Sequence, residues 1–209
     1  MGREPAAQGA DAVRDLDLFQ PVERTPNPMF TLLAVGHLVP VKAQDLIIGA
    51  LTLLPGVRLV LAGDGPDRAK LEHLARELKV SERVTFLGAV PQAQLRNHYG
   101  AADALVLSSS REGWANVLLE AMACGTPVVA SRVYGTPEVV AAPEAGVLMG
   151  ERSYQGVADA VNALRANYPD RGATRRYAER FSWDDTTAGQ VRLFERVLAA
   201  RSKAVACLT

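Results

Sequence analysis

Six short apolar runs constrain the fold of this chain more than anything else in its sequence: FTLLAVG (30–36), VRLVLAG (57–63), RVTFLG (83–88), ALVLSSS (104–110), PVVAS (127–131) and AGVLM (145–149). Apolar residues in unbroken succession are the mark of strands buried on both faces, which happens in parallel sheets covered by helices. Helical stripes separate the runs. Leu46, Ile47, Ala50, Leu51 and Leu54 form the first and are stopped by Pro55-Gly56; Leu71, Leu74, Ala75 and Leu78 form the second; Leu95 and Tyr99 lie on a short third after Pro91. From residue 153 onward the pattern is helical, with Val157, Val161 and Leu164 on one stripe and Val191, Leu193, Phe194, Val197 and Leu198 on a last one. Strand and helix in alternation predict an α/β fold: a doubly wound, Rossmann-like parallel sheet in a single domain with C-terminal helices. The predicted division is a linker-like segment at 1–28, the domain at 29–203 and a tail at 204–209.

Function concentrates in Arg111 to Ser131, REGWANVLLEAMACGTPVVAS. A loop leads into a helix on which Val117, Leu118, Ala121, Met122 and Cys124 recur at core spacing. Gly125 supplies the stop, since glycine enters the left-handed conformation at little cost. Thr126-Pro127 then forces extension into a buried strand. The first N–H groups of such a helix lack intrahelical partners and lie at the positive end of its dipole, so a phosphate fits there. Two carboxylates bracket the device, Glu112 in the loop and Glu120 in the second turn. Ionised carboxylates accept hydrogen bonds and suit hydroxyls rather than phosphates. Anion-holding amides between two hydroxyl acceptors match a diphosphate flanked by two polyols, the layout of a nucleotide sugar.

Composition narrows the classes. Lys plus Arg and Asp plus Glu are both 23, so no net field recruits nucleic acid or an anionic membrane. Cys124 and Cys207 have neither metal-ligand spacing nor an evident pairing, which fits a reducing compartment. No run reaches the roughly 20 apolar residues of a membrane span, and the N-terminus has no signal-peptide pattern.

The Glu-x7-Glu pair in EGWANVLLEAMACGTPVVAS resembles the signature of the retaining glycosyltransferases of family 4, which have two Rossmann-like domains. The resemblance runs from Phe30 to Leu198 and implies the C-terminal, donor-binding domain. It assigns Glu112 to hydroxyls of the transferred sugar and Glu120 to the nucleotide ribose. Gly113, Trp114, Ala115, Asn116, Val117 and Leu118 would meet the sugar and diphosphate, and the backbone of Gly88 and Ala89 would hold the nucleobase. Lys42 and His37, just after the first strand, would contact the diphosphate, with Glu112 and Lys42 the catalytic candidates. A lysine there is otherwise disfavoured, because a positive charge opposes a helix N-terminus. The family often has Arg at the position of His37 and Gly at that of Ala43; a histidine carries full charge only below a pKa of roughly 6.5, so phosphate affinity should be weaker and more pH-dependent. Phe19 and Pro21 resemble the family's interdomain segment, and FSW (181–183) resembles the run before its last helix, which crosses back to the first domain. With that domain missing, the last helix is expected either to fold on its own sheet or to expose an apolar face.

The resemblance further implies a UDP- or GDP-linked donor in preference to an ADP-linked one, no cofactor and no metal. It implies an acceptor-binding N-terminal domain missing here or supplied by a partner chain, and a cytoplasmic protein, at most peripheral at the inner membrane through that domain. Glu138 reads as structural, His73 and His98 as ordinary helix residues, and AGDGP as a turn rather than a dinucleotide fingerprint. Three functions follow: the donor half of a glycosyltransferase, a nucleotide or nucleotide-sugar binding module without turnover, and a nucleotide-sugar epimerase or phosphorylase of similar fold. The Glu112–Glu120 spacing speaks against the third.

Overall fold

The structure is a computed structural model describing residues 18–22, 28–113, 115–181, 191–192 and 194–197. All six apolar runs form strands of one parallel sheet: β1 (Phe30–Val35), β2 (Val57–Ala62), β3 (Val84–Gly88), β4 (Ala104–Leu107), β5 (Val128–Ala130) and β6 (Gly146–Leu148). They stand in the order β3-β2-β1-β4-β5-β6. Chain direction across the sheet therefore reverses between β1 and β4, a switch point where doubly wound folds open a crevice at the carboxyl ends of their strands.

Burial on both faces is visible residue by residue in the central strands, while edge strand β3 alternates between half-buried and exposed positions. Leu32 and Ala34 of β1 pack into one core with Ala104 and Val106 of β4, while Leu33 points to the other core with Leu105 and Leu107. The first core is closed by α1 (Gln44–Ala50), α2 (Arg68–Glu77) and α6 (Tyr154–Ala166); the second by α3 (Gln92–Ala101), α4 (Asn116–Ala123) and α7 (Arg171–Ala178). The short α5 (Thr136–Val139) connects β5 to β6. On α4, Leu118, Ala121, Met122 and Cys124 are buried and Val117 is partly so. Gly125 ends the helix at φ +74°, the left-handed stop read from the sequence.

Two arginines of α7 hold the second layer together. Arg171 donates from Nη1 to Ala102 O at 3.0 Å, and from Nη2 to Gly100 O at 2.9 Å, Cys124 O at 3.3 Å and Thr126 Oγ1 at 2.6 Å. Arg175 donates from Nη1 to Ala123 O at 2.7 Å and Phe19 O at 2.6 Å. Arg171 satisfies carbonyls at the ends of α3 and α4 and Arg175 one at the end of α4, where the helix dipoles favour positive charge. Phe19, ahead of the sheet in a stretch of linker-like texture, is a core residue with its ring against Tyr99. It stands between Leu18 and Gln20 in a stretch with no sustained helical or strand pattern, so nothing local betrays its burial.

At the other end, residues 191–192 and 194–197 are helical, with Val191, Phe194 and Val197 48%, 63% and 58% exposed. Of the two outcomes foreseen for the last helix, these three side chains show the exposed one; Leu193, Leu198, Ser182 and Trp183 lie outside the described residues.

Candidate functional site at the switch point

Loops from β1 and β4 meet at the reversal and are laced together. After β1 the chain passes Gly36 and His37 into a 3₁₀ turn, Pro40–Lys42, and reaches α1 through Ala43 at φ +49°, ψ +43°. That left-handed conformation explains why glycine suits this position in the family: an L-residue there costs roughly 1–2 kcal/mol. Ser108, the first residue after β4, donates its hydroxyl to Lys42 O at 2.9 Å and Ala43 O at 2.8 Å, and Ser110 N donates to Val41 O at 2.8 Å. These bonds fix the two loops against each other.

The pairing brings Lys42 onto Glu112. Lys42 Nζ donates to Glu112 Oε1 at 2.6 Å across 70 positions of sequence, the same oxygen also accepting from Ser109 Oγ at 2.6 Å. Glu112 is 11% exposed and Lys42 26%, so the pair is half-shielded from water and stronger than a surface ion pair. Gly36 lies under the lysine stem; a Cβ there would sit 3.7 Å from Lys42 Cε.

His37 is exposed, and its Nδ1 lies 2.7 Å from Asp64 O. A carbonyl can only accept, so Nδ1 carries the proton. Nε2 then becomes a second donor only in the imidazolium form.

Glu120 is anchored elsewhere. From the second turn of α4 its Oε2 accepts from the hydroxyl of Tyr99 on α3 at 2.7 Å. Burial and the adjacent Glu120 carboxylate push the Tyr99 phenol well above its usual range, so it remains a neutral donor. The two glutamates thus have different supports: Glu112 the loop after β1, Glu120 the neighbouring helix. Between them α4 begins at Ala115 without a side-chain cap. In its first turn Asn116 Oδ1 is buried with no partner among the described residues, a rarity for a buried acceptor.

Of the remaining predicted residues, Gly88 ends β3 at φ +74° and accepts from Gly63 N at 2.8 Å, with Ala89 exposed next to it at the same edge of the sheet. Gly113 is exposed in the loop, Ala115 and Leu118 are buried, Val117 is half-buried, and Trp114 lies outside the described residues. Sequence reasoning passed over Ser109, Tyr99 and Arg171. The SSS run hints at the first; an apolar helical position gives no warning that a tyrosine hydroxyl meets a carboxylate on another helix. A hollow of about 350 Å³, lined by Val39, Asp45, Lys70 and Arg152 among others, opens on the α1–α2 side and includes neither glutamate.

The profile of the family "Glycosyl transferases group 1" matches residues 17–181. The chain belongs to the group 1 glycosyltransferases. It is 35% identical over 201 residues to the D-inositol 3-phosphate glycosyltransferase of Mycolicibacterium smegmatis, covering 88% of this chain and 46% of that one. The Mycobacterium tuberculosis (strain F11) protein of the same name is also 35% identical, over 218 residues, covering 91% and 45%. The chain therefore spans less than half the length of these relatives. Among solved structures, sucrose-phosphate synthase from Thermosynechococcus elongatus superposes with a TM-score of 0.76 at 30% identity, covering 88% of this chain and 51% of the other. The lipopolysaccharide outer core galactosyltransferase WaaB gives 0.68 at 25%, covering 78% and 50%. Both solved structures superpose on the doubly wound α/β architecture described above. Among the described residues no helix is long and apolar enough to cross a membrane, and no three His, Cys, Asp or Glu side chains group as metal ligands.

Proposed function

We propose that this domain binds the nucleotide-sugar donor of a retaining glycosyltransferase and supplies half of its active site. The observation that carries the reading is the Lys42–Glu112 contact at the switch point. It sets a cation for a diphosphate beside a carboxylate for a sugar, where open α/β sheets receive ligands.

Binding then has a defined order of contacts. The donor diphosphate takes Lys42 from Glu112 and lies against the start of α4, whose dipole favours it. Glu112, still held at Oε1 by Ser109, offers Oε2 to hydroxyls of the sugar. Glu120, oriented by Tyr99, accepts from the ribose, and the edge at Gly88–Ala89 receives the base. As the glycosidic bond to the diphosphate breaks, negative charge grows on the leaving oxygens. Lys42 and the α4 amides are in place to stabilise it without reorganising. A protonated His37 adds to that stabilisation through Nε2. The reading includes no resident metal, prefers UDP or GDP to ADP, and takes the acceptor from a second domain facing this edge.

Thermal unfolding with UDP, GDP, ADP and their common sugar conjugates tests donor binding. A ligand at 100 times its Kd stabilises by about 2.7 kcal/mol, a shift of roughly 5–10 °C for a domain of this size. A shift selective for one nucleotide is expected; no shift with any of them at millimolar concentration overturns the reading. Retention is tested on the domain joined to its acceptor half, by the anomeric configuration of the product in NMR.

A further inference from the structure

We propose that Tyr99 is the positioning residue for Glu120, and that the segment ahead of the sheet keeps Tyr99 in that role through Phe19. This deepens the donor-site reading above and rests on its assignment of Glu120 to the nucleotide ribose.

Tyr99 is fully buried and fixed on several sides. Its hydroxyl donates to Glu120 Oε2 at 2.7 Å. Its backbone carbonyl accepts from Thr126 Oγ1 at 2.6 Å, and that hydroxyl in turn accepts from Arg171 Nη2 at 2.6 Å. The ring of Phe19 meets the Tyr99 ring edge-on, with centroids 5.7 Å apart and planes at 75°. Phe19 is itself buried, its carbonyl tied to Arg175 Nη1 at 2.6 Å. Val22, three residues on, packs against Gly100, the neighbour of Tyr99 on α3.

A glutamate on a helix has three side-chain torsions to order before its carboxylate can meet a ligand. A bond to Oε2 from a donor that cannot move fixes the plane of that carboxylate beforehand. A ribose presents two neighbouring hydroxyls, so it gains from an acceptor whose lone pairs already stand in one orientation. Phe19 packs edge-on against the tyrosine ring and restrains its movement. The stretch that precedes the domain thereby takes part in holding a ligand contact more than one helix away.

The test compares nucleoside diphosphates with their 2′,3′-dideoxy counterparts by calorimetry, using UDP, GDP and ADP. Tyr99→Phe keeps the ring and removes only the donor. The expected result is about tenfold weaker binding of the ribonucleotide with the dideoxy form unchanged, since only the former uses Glu120. In a Glu120→Gln background the same substitution should add nothing. Phe19→Leu should weaken the ribonucleotide about threefold and spare the dideoxy form. Ligand-free melting of each variant records loss of packing separately, and the dideoxy nucleotide reports an intact site. An equal change for both nucleotides, or none, in a native chain that discriminates between them refutes the positioning role alone. A native chain that binds both equally, or binds neither, overturns the assignment of Glu120, and the proposal falls with it.

Discussion

Removing the Glu112 charge should tighten the binding of a plain nucleoside diphosphate, although Glu112 is part of the donor site. Without ligand its carboxylate engages Lys42 at 2.6 Å, with only 11% and 26% of the two side chains exposed. A half-shielded, hydrogen-bonded pair of this kind is worth about 1–2 kcal/mol. A diphosphate that recruits Lys42 has to break it. Glu112→Gln lowers that cost and removes a negative charge near the phosphates, so UDP or GDP should bind with about 1 kcal/mol more free energy, roughly fivefold tighter. The sugar-bearing donor gains the same amount but loses hydrogen bonds from its hydroxyls to a charged acceptor, about 1.5–3 kcal/mol. It should bind a few-fold more weakly, and the affinity ratio of donor to nucleotide should fall by more than tenfold. Calorimetry at low ionic strength measures both constants. In a Lys42→Met background the UDP gain should shrink to what the lost negative charge alone contributes, because no cation remains to be released. If Glu112→Gln weakens UDP as much as the donor, Lys42 does not leave Glu112 for the diphosphate and the order of contacts is wrong.

Three other outcomes follow from the described geometry. Arg171→Met strands carbonyls at the ends of α3 and α4, and because the arginine is partly exposed the loss should be roughly 2–4 kcal/mol, seen in thermal melts as a drop of roughly 5–15 °C. Burial pushes the Cys124 thiol from 9.0 up to about 12, against the lowering effect of Arg175 and Arg171. The unfolded chain therefore releases this proton first; stability is full below pH 9 and declines as pH rises towards 12, and urea titrations should show a shallower decline in Cys124→Ala. His37→Arg gives the diphosphate a permanent, bidentate cation, so UDP should bind several-fold tighter than to the native chain in calorimetry.

Much of the architecture was legible because it follows from rules local in sequence. Mostly continuous apolar runs such as Phe30–Val35 and Ala104–Leu107, alternating with helical stripes, read as strands covered on both sides, and Gly125 stops α4 for a reason contained in its own backbone. The same holds for the candidate chemistry: the Glu112–Glu120 spacing and the unusual position of Lys42 before a helix were visible without coordinates. What tertiary structure alone decided are the partnerships. Lys42 and Glu112 lie 70 positions apart, Tyr99 and Glu120 lie 21 apart on different helices, and Arg175 reaches back across 156 positions to Phe19. Such contacts depend on which strand lies beside which, and β1 neighbours β4 only because the sheet reverses there. Periodicity reports which face of an element is buried; it carries no information about which side chain waits on the other side.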